Sequence, residues 1–447
     1  MVQQQTHELD VAQLELAYRR RELDPVQVCE QLLVRIGDPA VNCNAFAHVD
    51  YDAARAAALA SSERWQDGRE LGALDGIPLA IKDVLDVAGM PTRYGSAACA
   101  DVGAANQDSL LAQRLRAAGA VILGKTRTWE FAWRSNPARG PAEVVRNPQD
   151  PACSPGGSSS GSAAAVAAGL CPLAFGTDSG GSVRGPAAFC GILGLKPSHA
   201  LIPVYPPSPM GDIEHIGIFA RSVDDLRTTL DLVGGYHPDD PASWPFHVPL
   251  PAPESEMEAL RFGFSVDLNH AAPQPDLHAH FAAVIERLRQ SGLNIEARDI
   301  PFSVEFEKCN DLFVPDAALS LELVPPERRQ LVDPGVVKLA QQGECMKVNE
   351  YAQLELLRRQ LQRVFAREFS QIDCLLTLTQ RTTANRLDQE PGMMKLTRCF
   401  NLTGQPAISI PCGTSSAGMP IGLQLVCDLG DDGLLLVIAA RIAAALA

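Results

Sequence analysis

Several things are missing from this chain, and each absence removes a class of function. Positive charge is short: 38 Lys and Arg stand against 53 Asp and Glu, a net charge of -15. A nucleic-acid surface wants a basic stripe, so no nucleic-acid partner is expected. No uncharged apolar run reaches the roughly 18 residues of a membrane span. The start, MVQQQTHELD, has no basic-then-apolar leader pattern, so a soluble, cytoplasmic protein is expected. The 12 cysteines are scattered and never spaced Cys-x-x-Cys. They read as reduced core thiols. No His-Glu-x-x-His or clustered His/Cys pattern occurs, so neither a metal nor a cofactor is expected.

What is present centres on Pro155–Ser198. This stretch is poor in charge and rich in glycine, serine and alanine. It holds two serine-bearing glycine turns, Gly156–Ser162 and Thr177–Ser182. Between them lie a small-residue helix candidate, Ser162–Leu170, and a short strand candidate, Pro172–Phe175. Glycine is placed where a backbone must turn tightly or be approached closely. Two turns that both present hydroxyls suggest two loops meeting at one site, the active centre of a serine hydrolase.

The flanking chain reads as alternating helices and strands, an α/β class. Asp24-Pro25 divides two N-terminal helices over 8–36, and an alanine-rich helix follows over 51–66. Residues 76–84 read as a buried strand ending in Lys82. Ser109 caps a helix, 120–123 reads as a strand, and Gly124-Lys125-Thr126 as its turn. A long loop over 127–152 carries the aromatics Trp129, Phe131 and Trp133, read as core packing or as a wall of the substrate pocket. Residues 236–256 are proline-rich and irregular. Further strands are expected at 260–264, 292–300, 375–379, 407–411 and 420–426, with helices over 222–233, 276–291, several within 305–370, and 431–446.

Familiar chemistries fail on the glycine turns. The P-loop spacing from Gly156 to Gly161 puts Ser162 where the phosphate-binding lysine belongs. The nucleophile elbow fails because Arg184 stands where its last glycine should be. For a Ser-His-Asp triad, nothing marks His199 or His215 as a base. A serine activated by lysine remains. Lysine acts as a base only when neutral, and burial favours that form. Lys82, at the end of an apolar strand, suits the part. The ordinary alternative is a strand-end lysine whose stem is covered and whose head reaches water.

These residues resemble the amidase signature family. The resemblance rests on Gly76–Asp83, Gly156–Ser162 and Gly176–Arg184, and it spans residues 8–440. Supporting pieces are Gly124–Thr126, Glu130–Ala132, Arg146–Pro148, Cys190–Pro197, Ala220–Leu226, Asn401–Gly404 and Met419–Leu425. The family implies a central mixed, twisted β-sheet covered on both sides by helices. One amidase domain over 1–447 is expected: a helical lead-in (1–66), a catalytic core (76–235), and the rest of the sheet with pocket helices (257–447).

The resemblance also implies Lys82 as base, Ser158 as relay and Ser182 as nucleophile, with a cis Gly157–Ser158 bond. It implies an oxyanion hole of backbone N–H groups from Ser179, Gly180, Gly181 and Ser182, braced by Asp178 and Arg184. The implied reaction is hydrolysis of a small linear carboxamide through an acyl-enzyme. A glutaminase subunit of a tRNA-dependent amidotransferase shares this core and is the second reading. A homodimer is left open, as are ureide, aryl and aliphatic amides as substrates. Gly185 departs from the bulkier residue usual in relatives and is expected to widen the pocket. Arg134 and Arg139 are candidate receivers of a substrate carboxylate.

Overall fold

The computed structural model describes residues 6–134, 144–209, 211–245, 259–269, 271–302, 304–389 and 395–446. Eleven strands form one sheet: β1 (Phe46–Val49), β2 (Pro78–Lys82), β3 (Val121–Thr126), β4 (Leu173–Asp178), β5 (Leu193–Lys196), β6 (His215–Ala220), β7 (Phe262–Phe264), β8 (Ile295–Ala297), β9 (Cys374–Leu378), β10 (Ala407–Thr414) and β11 (Pro420–Val426). Their order is β1-β3-β2-β4-β6-β5-β10-β11-β9-β7-β8. The sheet is mixed: β3, β2 and β4 run parallel, as do β9, β7 and β8, while the strands from β4 across to β9 pair antiparallel.

Both faces are covered. Leu79, Ile81, Leu173, Phe175, Ile216 and Ile218 point into one large apolar cluster. Ala80, Ala174 and Phe219, the residues between or beside them, point into another. This period-two split is what a strand buried on both sides requires. The second cluster is built by helix Ser160–Ala167, where Ser160 to Val166 are all buried. A helix of Ala, Ser and Gly lets its backbone lie close on the sheet.

The helix starts follow local chemistry. The Asp24 carboxylate accepts the Val26 N–H at 2.8 Å, with Pro25 at the first helical position of Pro25–Gly37. Ser109 and Ser222 cap helices Leu110–Ala117 and Val223–Val233 in the same manner.

One expectation is corrected. Gly124-Lys125-Thr126 is no turn; all three residues belong to β3. Asn401–Thr403 is part of a short helix, Cys399–Thr403, closed by Gly404 in the left-handed region. Three strands had no strand reading from sequence: β1, β5 and β6.

Candidate active site

Strands β2 and β4 lie side by side and parallel, so their carboxyl ends meet at one edge of the sheet. Lys82 closes β2, and Thr177 and Asp178 close β4. The Lys82 side chain is fully buried. Its Nζ lies 2.8 Å from Ser158 Oγ and 2.8 Å from Thr177 Oγ1. Burial pulls its pKa down to about 7, while the charges of Glu214 and Asp178 oppose the shift. A neutral amine is therefore accessible near physiological pH.

Ser158 arrives from the other glycine turn. The Gly157–Ser158 bond is cis, as the resemblance implied. The Trp129 ring covers Gly157 so closely that a Cβ there would run into the indole. The Trp129 backbone N–H donates to the Ser158 carbonyl at 3.1 Å. The next residue locks the two turns together: Ser159 Oγ donates to the Thr177 carbonyl at 3.1 Å, and its N–H donates to the Ser182 carbonyl at 3.3 Å.

Ser182 sits between β4 and helix Arg184–Cys190 and is partly open to solvent. Its hydroxyl has no hydrogen-bond partner among the described residues. The Lys82–Ser158 half of the expected relay is thus closed, and the Ser158–Ser182 half is not formed as a hydrogen bond in this state. Catalytic hydrogen bonds are often long before substrate binds.

The oxyanion loop differs from expectation at one residue. The Gly181 N–H is already committed to Asp178 Oδ1, at 2.6 Å. The buried carboxylate also takes N–H groups from Val183 and Arg184. The N–H groups of Ser179, Gly180 and Ser182 have no partner among the described residues. Three donors are therefore free to face an oxyanion, not four.

Asp178 and Arg184 form a fully buried, two-pronged ion pair, with Nη2–Oδ1 at 2.9 Å and Nε–Oδ2 at 3.1 Å. Burial alone would raise the Asp178 pKa; the Arg184 charge and the hydrogen bonds from Arg184 and Asn401 outweigh it and hold the carboxyl well below its usual range. Arg184 also donates to the Thr397 carbonyl, Gln424 Oε1 and Asn401 Oδ1 at 2.7–2.9 Å. The Asn401 amide returns to the Asp178 carbonyl at 2.6 Å. Removing one partner of a buried pair leaves a bare charge. Arg184→Met is expected to cost about 3–5 kcal/mol, read as a lower urea midpoint at constant slope. Adding Asp178→Asn should recover part of the loss.

The aromatic expectations divide. Trp129 borders the site at Gly157. Phe131 does not line a pocket: it is 1% exposed, stacks on Tyr94 at 5.9 Å between ring centroids, and belongs to a small apolar cluster with Ala98, Cys99 and Leu321. Trp133 packs partly buried beside that cluster, its Nε1 donating to Ser320 Oγ at 3.3 Å. Gly185 lies buried in the first turn of its helix, its N–H bonded to the Gly181 carbonyl at 2.8 Å. Arg134 is exposed and pairs with Asp333 at 3.6 Å, which removes it as a ready carboxylate receiver. Arg139 lies outside the described residues. Sequence reasoning missed Thr177 as a partner of Lys82, although it stands inside the second glycine turn. It also missed Gln424, which joins from β11.

Among the described residues, no group of three or more His, Cys, Asp or Glu is placed to hold a metal ion. None of the described helices is long and apolar enough to cross a membrane.

The amidase family model matches residues 27–436. A glutamyl-tRNA(Gln) amidotransferase subunit from Chloroflexus aurantiacus is 34% identical over 96% of this chain and 95% of its own. A crystal structure of an amidase superposes with a TM-score of 0.88 at 29% identity, covering 98% of this chain and all of that one. The native peptide amidase of Stenotrophomonas maltophilia superposes with a TM-score of 0.82 at 26% identity, over 98% and 97% of the two chains. The lysine-serine contact at the carboxyl ends of two parallel strands, with a glycine-rich loop beside it, thus sits in a chain matched along nearly its whole length, and that chain belongs to the amidase signature family of amidohydrolases.

Proposed function

We propose that the chain hydrolyses the C–N bond of a small linear carboxamide through an acyl-enzyme on Ser182. The observation that carries this reading is the buried Lys82 amine, 2.8 Å from Ser158 Oγ. Ser182 Oγ attacks the amide carbon as its proton passes to Ser158 and the Ser158 proton passes to neutral Lys82. The C–O bond forms and the carbonyl electrons move onto oxygen, which meets the N–H groups of Ser179, Gly180 and Ser182. Each such donor contributes about 2.7–4 kcal/mol in well-aligned sites. The relay then gives a proton to the leaving nitrogen, the C–N bond breaks, and ammonia or an amine departs. Water attacks the ester by the same proton route and releases the carboxylate. Asp178 and Arg184 hold the loop and move no proton.

The twelve cysteines are all free and ten are buried. That supports a reducing compartment, and we place the protein in the cytoplasm. The deciding experiment is release of ammonia or amine from a panel of ureide, aryl and aliphatic amides with purified protein. Turnover of at least one class supports the proposal; neither ammonia nor amine from any class, with the protein folded, overturns it.

A second reading has one specific support, the name carried by the curated relatives. The chain would then be the glutaminase subunit of a tRNA-dependent amidotransferase. It requires glutamine as the preferred substrate and co-purification with partner subunits. A chain that works alone and prefers other amides excludes it.

A further inference from the structure

Arg398 stands against the nucleophile loop and has no counter-charge among the described residues. It directly precedes the short helix Cys399–Thr403. A Cβ on Gly180 would lie 3.0 Å from Arg398 Nε and 3.5 Å from its Nη2, so the guanidinium comes close to the loop two residues before Ser182 with its Nε–Nη2 edge. On its other side it covers the Phe313 ring, 5.0 Å from the centroid. The preceding residue is tied to the same loop, since Thr397 Oγ1 donates to the Gly180 carbonyl at 2.7 Å. The guanidinium is therefore held between the loop and the Phe313 ring.

Its side-chain donors nonetheless meet no acceptor among the described residues. Nε is buried and has no hydrogen-bond partner. No carboxylate pairs with it among the described residues. Burial alone pushes its pKa down, with no acid opposing. An arginine stays charged all the same. Arg184, four residues after Gly180, by contrast spends its donors on Asp178, Thr397, Gln424 and Asn401. A buried donor such as Nε without an acceptor is costly to maintain, and the planar guanidinium matches a carboxylate two-to-two.

We propose that Arg398 is the anion subsite of the active centre and that the substrate is a small amide bearing a carboxylate. This rests on the amidase reading of Ser182 and narrows it to acidic amides. The substrate carboxylate takes the open guanidinium, and the amide carbonyl is thereby set over the loop N–H groups. A neutral amide of the same length leaves Arg398 unpaired, so it binds less well. Sites built to pair a polar group reject partners lacking it far more strongly than apolar pockets reject a missing methylene.

The test compares monoamides of three- to five-carbon dicarboxylic acids with the corresponding diamides, by ammonia release. In the wild type, kcat/KM for the best monoamide should exceed that of its diamide by about 100-fold or more. Arg398→Met should cut that ratio at least about tenfold, mainly by raising KM for the acid, and Arg398→Lys should fall between. A loss that is only structural would lower both substrates together and leave the ratio unmoved. A wild-type preference for the diamide, or an unchanged ratio in Arg398→Met, overturns the proposal. Calorimetric titration with succinate gives an arm that needs no turnover. Tighter binding to the wild type than to Arg398→Met supports the subsite even if no amide is cleaved, in which case the amidase reading alone fails. Equal binding, or none to either protein, overturns the subsite even if neutral amides are cleaved.

Discussion

Ser182→Ala is expected to lower amide turnover by about 10⁶-fold, the scale lost when a serine hydrolase loses its nucleophile. The fold should survive. Ser182 is partly open to solvent, and its hydroxyl has no partner among the described residues. Its backbone carbonyl, which receives the Ser159 N–H, remains in place. The loss should therefore fall on kcat with melting behaviour unchanged, and labelling by a serine-directed phosphonate should disappear. Retained turnover in Ser182→Ala would show that another group attacks the amide.

Lys82 is expected to give the second-largest effect. Lys82→Ala should lower kcat/KM by about 10⁴-fold or more, because no other base lies against Ser158 among the described residues. Lys82→Arg should be nearly as poor, since a guanidinium stays protonated. The pH profile carries the sharper test. The amine works only when neutral, so kcat/KM should climb as pH rises through about 7 and then level off. The stability signature has a definite sign. The folded-state pKa, about 7, lies below the ordinary 10.5, so the unfolded chain binds the extra proton between those values. Stability from this site therefore rises with pH across that window. Lys82→Met should flatten that slope in urea titrations taken from about pH 7 to pH 10. A rate profile with no rise near 7 would place the base elsewhere.

The residues of the proposed relay were legible in sequence because each is local. Lys82 is a lone charge at the end of an apolar strand, and Ser158 and Ser182 sit in glycine turns that few other structures would need. Two of the missed strands, β5 and β6, share a physical cause. Gly194 in β5 and Gly217 in β6 break the apolar run, and both are there because helix Arg184–Cys190 lies close on the sheet: a Cβ on either would crowd Ala187 or Val183. In β3, Gly124 admits the His48 carbonyl of the neighbouring strand β1. Lys125 looks like a turn residue but is buried against Asp83 at 3.4 Å and Thr92 at 2.9 Å. Phe131 reads as core packing or as a pocket wall because sequence shows an aromatic cluster and not the direction each ring takes. The Gly181 N–H was invisible for a similar reason: only the turn's geometry sends it to Asp178. Arg398 lies more than two hundred residues from Gly180, and no local pattern announces such a meeting.

The hub around Arg184 has a consequence for the order of events in synthesis. Its ligands come from residues 178, 397, 401 and 424, and Gln424 follows Arg184 by 240 residues. Until that distant segment leaves the ribosome, Arg184 lacks its acceptors at 397, 401 and 424, and the stretch before Ser182 has only its local ties to Asp178 and Ser159. Arrival of the late segment is thus the step that completes the hub.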